Sequence, residues 1–332
     1  MSSEIFSIII PAYNAEQTII RCLSSLISNI DYIKDVIVVD DCSTDETAAV
    51  VKGCMNLCSK LHLYSTQENS GPGVARRIGL IMAKGEWVTF LDADDCLTAS
   101  SLSYVADHLY DNLVLLHSQT IYYESGSFNK NHVDFSDYSC GGNFYRRSYL
   151  THYNLLPHEE LRLCEDEYFN AIVIDNIKYL TPEKEIAYYE YPVYEVHHDV
   201  YDGLSYALKN WQDYLIKYHL LSKQYVCDFF SDKDTMQEML KKEYIDNYIF
   251  CFFLYQCLIF DRDINVDNGA VFQQFSDALQ YYCEQFNGTK SDFMEFYNNN
   301  PDEIQDMKEG ASLSTGIEFR EFLMFDVFLK SL

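Results

Sequence analysis

The chain has 332 residues and is 48% hydrophobic, so it is long enough to form one large domain and a smaller one. Its formal net charge of −27 argues against nucleic acid or an anionic membrane as the main partner. The sequence shows no basic leader and no apolar run that could span a bilayer, which predicts a cytoplasmic protein without a transmembrane segment. Its eleven cysteines form no C-x-x-C pair and are expected to be reduced thiols.

Strand and helix patterns alternate through the first hundred residues. The predicted strands are 6–11, 35–40, 61–64 and 86–91, and the predicted helices are 19–27, 43 onward and 74–83. Asn14 is the expected cap of the first helix, and Gly85 is expected to end the third. This alternation predicts an α/β fold with a mostly parallel, Rossmann-like sheet that helices cover on both faces.

The pattern changes near residue 203. Before it, short strands are expected around 113–118, 142–145 and 188–196. After it, apolar residues recur at helical spacing over 204–218, 236–260, 272–286 and 317–329. We therefore predict an α/β catalytic domain over 1–202 and an all-α domain over 203–332.

Polar residues follow three of the predicted strands, at 11–14, 40–45 and 92–95. In parallel sheets ligands bind at the carboxyl ends of the strands, so these clusters are expected to share one crevice. Asp92 and Asp94 are separated by one residue, so their side chains can hold a hard metal ion and a ribose hydroxyl together. The alternative for this motif is a loop of helix-capping aspartates.

Five motifs occur in this order: SIIIPAYN, VIVVDDCSTDET, ENSGPGVARRIGL, AKGEWVTFLDADD and CEDEYF. With them the sequence resembles the family 2 inverting glycosyltransferases, whose catalytic domain has the nucleotide-sugar-binding GT-A fold. The resemblance covers roughly residues 5–200. It implies a UDP-sugar donor, Mn²⁺ or Mg²⁺ as the metal ion, and a glycan or glycoprotein acceptor.

The resemblance also implies roles for residues around the nucleotide. Pro11 and Tyr13 would line the base site, with Tyr13 against the uracil ring, and Asp41 would accept a hydrogen bond from the base. Arg76 would contact the nucleotide. Tyr13 could instead be a packing residue, and Arg76 a surface charge. Arg77 departs from the family, in which asparagine is common at this position.

The acidic turn would bind the sugar nucleotide and its metal ion. The resemblance places Asp92 near the ribose and the metal, Ala93 beside it in the nucleotide-sugar site, and Asp94 as the main metal ligand. His197 would complete the metal site, although His198 is an alternative and both could be ordinary core or surface histidines.

An acidic pair would supply the base for sugar transfer. In the resemblance, Glu165 and Asp166 lie where acceptor and donor meet. Inverting transfer needs a group that takes the proton of the attacking hydroxyl, and Asp166 is the candidate, with Glu165 orienting it or binding the acceptor. A helix start with exposed acids is the competing interpretation.

The sequence thus predicts an inverting, metal-assisted glycosyltransferase, with UDP-galactose or a UDP-N-acetylhexosamine as candidate donors. The helical domain would bind the acceptor or mediate oligomerisation, a layout similar to that of enzymes that extend glycans on serine-rich repeat adhesins. One rival is a catalytically inactive protein that binds glycans or nucleotide sugars. The other is a nucleotidyltransferase, although PAYNAEQT lacks the glycine-rich loop which that class carries after its first strand.

Overall fold

A computed structural model describes residues 4–123, 130–135, 140–161, 165–197, 233–260, 268–315 and 317–332. The chain divides into two compact units, residues 1–200 and 201–332. The predicted helix over 204–218 and His198 lie outside the described residues.

The four strands predicted in the first hundred residues form a parallel sheet. They are β1 (Phe6–Ala12), β2 (Ile33–Asp40), β3 (Leu61–Ser65) and β4 (Trp87–Phe90), in the spatial order β3-β2-β1-β4. Every residue of β1 and β4 is buried, including Ser7 and Thr89, as expected for strands of a parallel sheet covered on both faces.

The first unit also contains the helices α1 (Ile19–Ser25), α2 (Thr47–Met55), α3 (Pro72–Met82), α4 (Ser101–Asp107), α5 (Arg147–His152) and α6 (Glu165–Asp175). The helix predicted over 74–83 begins two residues earlier, at Pro72, because a proline costs no hydrogen bond in the first turn. Gly71 precedes it with a φ of 94°, a conformation that favours glycine.

The remaining strands of this unit are β5 (Cys96–Leu97), β6 (Leu113–Tyr123), β7 (Lys130–Phe135), β8 (Asn143–Arg146) and β9 (Glu185–His197). They extend the sheet as β4-β8-β6-β9-β5, with β7 paired to β6. Only β6 and β9 pair in parallel here, and the other pairings are antiparallel. The predicted α/β fold is therefore confirmed, but its sheet is parallel in the first four strands and mixed beyond them.

The described part of the second unit is helical, with α7 (Lys233–Phe260), α8 (Asn268–Phe286), α9 (Lys290–Asn299), α10 (Pro301–Thr315) and α11 (Phe325–Ser331). Its core is rich in aromatic side chains, among them Tyr248, Phe252 and Phe275. The helix predicted over 317–329 is wrong in its first half. Ile317 and Phe319 pack against the core from non-helical backbone. Their apolar spacing therefore reflects contact with the core and not a helix.

No helix within the described ranges combines the length and the apolar character that a bilayer span requires.

Candidate active site

The loops that follow β1, β2 and β4 lie at one edge of the sheet. The Asp41 amide donates to the Ala12 carbonyl over 2.8 Å, and the Leu91 amide donates to the Ile9 carbonyl over 2.9 Å. Because β1 pairs with both β2 and β4 in parallel, the three carboxyl ends come together, as in other α/β sheets that bind ligands.

Hydrogen bonds join the first two of these loops. The Asn14 side chain accepts a bond from the Thr44 amide over 2.8 Å, so Asn14 ties two loops together and does not cap α1 as expected. Asp45 accepts bonds from the amides of Glu16 and Thr47, both over 3.0 Å. Asp45 thereby caps the start of α2, and its two carboxylate oxygens serve the fold.

Two predicted base-site residues, Pro11 and Tyr13, lie at the end of β1. Pro11 is buried within the strand, whereas the Tyr13 side chain is 47% exposed. Tyr13 is therefore not a core residue, and its ring is open to a planar partner.

Asp41, the third predicted base-site residue, holds the loop that precedes α3. Its Oδ1 accepts bonds from the Thr66 hydroxyl over 2.8 Å and from the Ser70 amide over 3.0 Å. Its Oδ2 accepts a bond from the Gly71 amide over 2.6 Å. A carboxylate can accept more than three bonds, so this role leaves capacity for a ligand donor.

Residues 92–95, which follow β4, form a tight acidic turn. In it the Asp95 amide donates a hydrogen bond to the Asp92 carbonyl over 3.0 Å. Asp94 is exposed, Ala93 is buried, and the Asp92 side chain is 41% exposed. Burial and the negative charges of Asp92 and Asp94 raise the pKa of Asp95 well above its usual range. The turn thus concentrates negative charge, which a cation bound there would offset.

Arg76 joins the acidic turn to the acidic pair on α6. Its Nη2 lies 2.7 Å from Asp92 Oδ1, and its Nη1 pairs with Glu165 Oε1. The side chains of Arg76 and Glu165 are only 6% and 7% exposed. The structure therefore places Arg76, expected at the nucleotide, as a buried bridge between two carboxylates.

Asp166 lies next to this bridge at the start of α6. Its side chain is half-buried, and its Oδ1 accepts a bond from the Glu167 amide over 2.9 Å. Burial first, and then the charge of Glu165, raise the pKa of Asp166 to about 6, although Arg76 lowers it. A carboxylate with this pKa is poised to exchange a proton near neutral pH.

His197 ends β9 and contacts the acidic turn through its backbone, because its amide donates to Asp95 Oδ1 over 2.8 Å. Its ring stacks on Tyr123 at a centroid distance of 4.9 Å. Its Nε2 lies 3.7 Å from Glu195 Oε2, and no described residue forms a hydrogen bond with that buried nitrogen.

The described residues contain no group of three histidine, cysteine or acidic side chains arranged to hold a metal ion. The predicted ligands fit a metal only in part. Asp94 is exposed, the Asp92 carboxylate is already paired with Arg76, and the His197 Nε2 is buried beside Glu195 with no hydrogen bond from the described residues. An ion here would need further ligands, which a diphosphate and water can supply.

Sequence reasoning missed Tyr194, whose hydroxyl donates to Asp95 Oδ2 over 2.8 Å and accepts from the Asp92 amide over 3.1 Å. It is one of four tyrosines in β9, and nothing in their spacing distinguishes it. The pairing of Tyr194 with Leu97 in β5, next to the acidic turn, brings its hydroxyl to Asp92 and Asp95.

The parallel strands with an acidic turn at their carboxyl ends define an α/β domain with a ligand site suited to a nucleotide and its cation. Residues 7–170 match the family described as glycosyl transferase family 2, so this part of the chain is a domain of that family.

Two curated relatives share this part of the chain. An uncharacterized glycosyltransferase of Haemophilus influenzae is 36% identical over 122 residues, 35% of this chain and 47% of that protein. The poly(ribitol-phosphate) β-N-acetylglucosaminyltransferase TarS of Staphylococcus aureus is 38% identical over 120 residues, 33% of this chain and 20% of TarS. The chain therefore spans less than half the length of these relatives.

Solved structures share the fold. The crystal structure of S. aureus TarS 1–349 in complex with UDP-GlcNAc has a TM-score of 0.61 at 20% identity, covering 97% of this chain and 95% of that one. The mannosyltransferase PcManGT from Pyrobaculum calidifontis in complex with GDP-Man and Mn²⁺ has a TM-score of 0.52 at 14% identity, covering 94% and 85%. These likenesses confirm the predicted GT-A fold.

Proposed function

We propose that the protein transfers a sugar from a UDP-sugar to a hydroxyl of a glycan or glycoprotein acceptor, with inversion at the anomeric carbon. One observation carries the proposal: Arg76 joins the acidic turn after β4 to the acidic pair of α6 in a family 2 domain. The acidic turn suits a nucleotide diphosphate with its cation, and the acidic pair suits proton removal from an acceptor.

In this proposal the donor lies across the ends of β1, β2 and β4. Tyr13 stacks on the base, which Pro11 also lines, and Asp41 accepts a hydrogen bond from it. Ala93 and Asp92 lie at the ribose and the sugar diphosphate. The exposure of Tyr13 and the nucleotide-sugar complexes of fold neighbours support this placement. UDP-galactose and UDP-N-acetylhexosamines remain the candidate donors.

Asp166 acts as the general base in the proposed transfer step. As the acceptor oxygen attacks the anomeric carbon, its proton passes to the Asp166 carboxylate, while the bond to the nucleotide diphosphate breaks on the opposite face. The raised pKa of Asp166 suits a base that works near neutral pH. Glu165, held by Arg76, orients the segment that carries Asp166.

A donor screen tests the function directly. The full chain is incubated with a panel of nucleotide sugars and candidate acceptors, and released nucleotide diphosphate is measured. Release from a UDP-sugar is expected. Binding of nucleotide sugars without any release would favour the inactive binding protein, and release of pyrophosphate from a nucleoside triphosphate would favour the nucleotidyltransferase.

Chelation should abolish activity. Asp94, Asp92 and His197 would hold Mn²⁺ or Mg²⁺, which supplies charge neutralisation for the leaving diphosphate. We expect EDTA to stop nucleotide release and added manganese to restore it. In calorimetry, Asp94→Ala should lose the part of the UDP affinity that depends on manganese. Full activity in EDTA would contradict the metal role.

The helical unit has no assigned chemistry in its described residues, and we propose that it binds the acceptor or mediates oligomerisation. Acceptor binding and oligomerisation are both compatible with a protein that acts in the cytoplasm on a glycan or glycoprotein. Light scattering on the full chain separates them, since a monomer at working concentration would exclude oligomerisation.

A further inference from the structure

We propose that Asp95 and Tyr194 are positioning residues that fix His197 against the acidic turn. This inference rests on the proposed function, because it concerns how the turn and His197 act together on a metal-bound nucleotide. Neither Asp95 nor Tyr194 would touch the donor. Both are almost completely buried, and both act through other residues.

The Asp95 carboxylate holds the end of β9 with both of its oxygens. Oδ2 accepts a bond from the Tyr194 hydroxyl and Oδ1 accepts one from the His197 amide, each over 2.8 Å. Two bonds from residues three apart on one strand fix both the position and the direction of that strand's end. The backbone of His197 is therefore held by the same turn that carries Asp92 and Asp94.

The Tyr194 hydroxyl bonds to both ends of the acidic turn. It donates to Asp95, and it accepts a bond from the Asp92 amide over 3.1 Å. A hydroxyl is needed for this double role, because only a group that donates and accepts can satisfy both a carboxylate and an amide. Phenylalanine would fill the same space and lose both bonds.

The fold reserves space for the Tyr194 ring. A Cβ atom on Gly141 would lie 2.7 Å from Cζ of Tyr194, closer than real side chains approach. A side chain at position 141 would therefore displace the ring and its hydroxyl. Glycine at this position suits a ring that must stay beside the turn.

A second contact fixes the orientation of the His197 ring. The ring stacks on Tyr123 with an angle of 8° between the planes, and Tyr123 is the partner of His197 in the β6–β9 pairing. Asp95 thus holds the backbone of His197 while Tyr123 holds its plane. Nε2 has no hydrogen bond among the described residues, but it is buried and lies 3.7 Å from Glu195 Oε2.

A double-mutant cycle on the full chain tests the proposal, with titration of UDP in the presence and absence of manganese. Tyr194→Phe should weaken manganese-dependent UDP binding by about tenfold, the size expected when the two buried hydrogen bonds of the hydroxyl are lost. UDP binding without manganese should not change. In a His197→Ala background, the effect of Tyr194→Phe should be clearly smaller, because part of its role acts through His197.

Tyr149→Phe is the matched control. Tyr149 is a buried tyrosine of the same unit whose hydroxyl bonds to Asn176 and Thr181, each over 2.6 Å. Its replacement should lower thermal stability to a similar degree and leave manganese-dependent binding unchanged. If Tyr194→Phe fails to fold, Asp95→Asn replaces it in the same cycle.

Three results would overturn the inference. The first is a Tyr194→Phe variant with wild-type affinity for UDP and manganese, and the second is equal loss of affinity with and without manganese. The third is full additivity with His197→Ala. A wild-type chain that binds no UDP with manganese would overturn the proposed function as well, so the two failures are distinguishable.

Discussion

Asp166→Asn should lower turnover by about 10²-fold or more, in line with the usual contribution of a general base. The amide keeps the shape of the side chain and its bond from the Glu167 amide but cannot take a proton. Affinity for UDP with manganese should change little, since no described contact links Asp166 to the acidic turn except through Arg76 and Glu165. Single-turnover rates and UDP titration measure the two effects separately.

The pH profile gives this prediction a second measurement. Because Asp166 must be ionised to act and its pKa is raised to about 6, kcat/KM of the wild type should fall as the pH drops through that value. The Asp166→Asn variant should lose this acidic limb. Glu167→Gln, at the neighbouring position of α6, is the control and should keep both rate and profile.

Turnover within a few-fold of wild type in Asp166→Asn would mean that Asp166 is not the base. Glu165 would then be the next candidate, although the structure gives it another task. Its carboxylate is buried and paired with Arg76, so taking a proton would cost it that ion pair.

The strand ends could be predicted from sequence because each depends on a local signal. A buried apolar run that stops at an aspartate marks both a strand and the edge where ligands bind, so Asp41, Asp92 and Asp94 were found together. The mixed pairing of β6, β8 and β9 could not be found this way. It depends on which distant strands meet, and apolar runs alone carry no such information.

The burial of Arg76 also depends on contacts between distant segments, which the sequence alone does not reveal. Its position after the glycine turn was visible in the sequence, but its burial was not. Burial arises because Gly73 lets α3 approach the segment before α6: a Cβ at Gly73 would lie 2.4 Å from the His158 carbonyl oxygen. That close approach brings Glu165, 89 residues away in the chain, to the guanidinium of Arg76.

Arg76→Met should lower the free energy of unfolding by about 3–5 kcal/mol and abolish most activity. Removing one partner of a buried ion pair leaves the other charge uncompensated, and Glu165 is almost fully buried. The loss of activity has a separate cause, since Asp92 and the start of α6 would no longer be held together. Urea unfolding and donor turnover measure the two losses.

The double variant Arg76→Met, Glu165→Gln separates stability from function. With both charges gone, most of the lost stability should return, because the buried site no longer contains an unpaired charge. Activity should stay low, since Asp92 still lacks its partner. Recovery of both properties would show that Arg76 only compensates Glu165 and does not position the acidic turn.

Arg77→Met is the control for these variants, because it removes the same type of side chain from the next position of α3. Arg77 pairs with Glu159 over 2.8 Å, but the two side chains are 33% and 58% exposed. An exposed pair contributes little, so the change should cost less than about 1 kcal/mol. If Arg76→Met kept its stability within this range and instead lost UDP affinity, Arg76 would be a nucleotide contact, as the family resemblance implies. A large loss of stability, most of which returns in the double variant, would identify it as the buried bridge between donor and acceptor motifs.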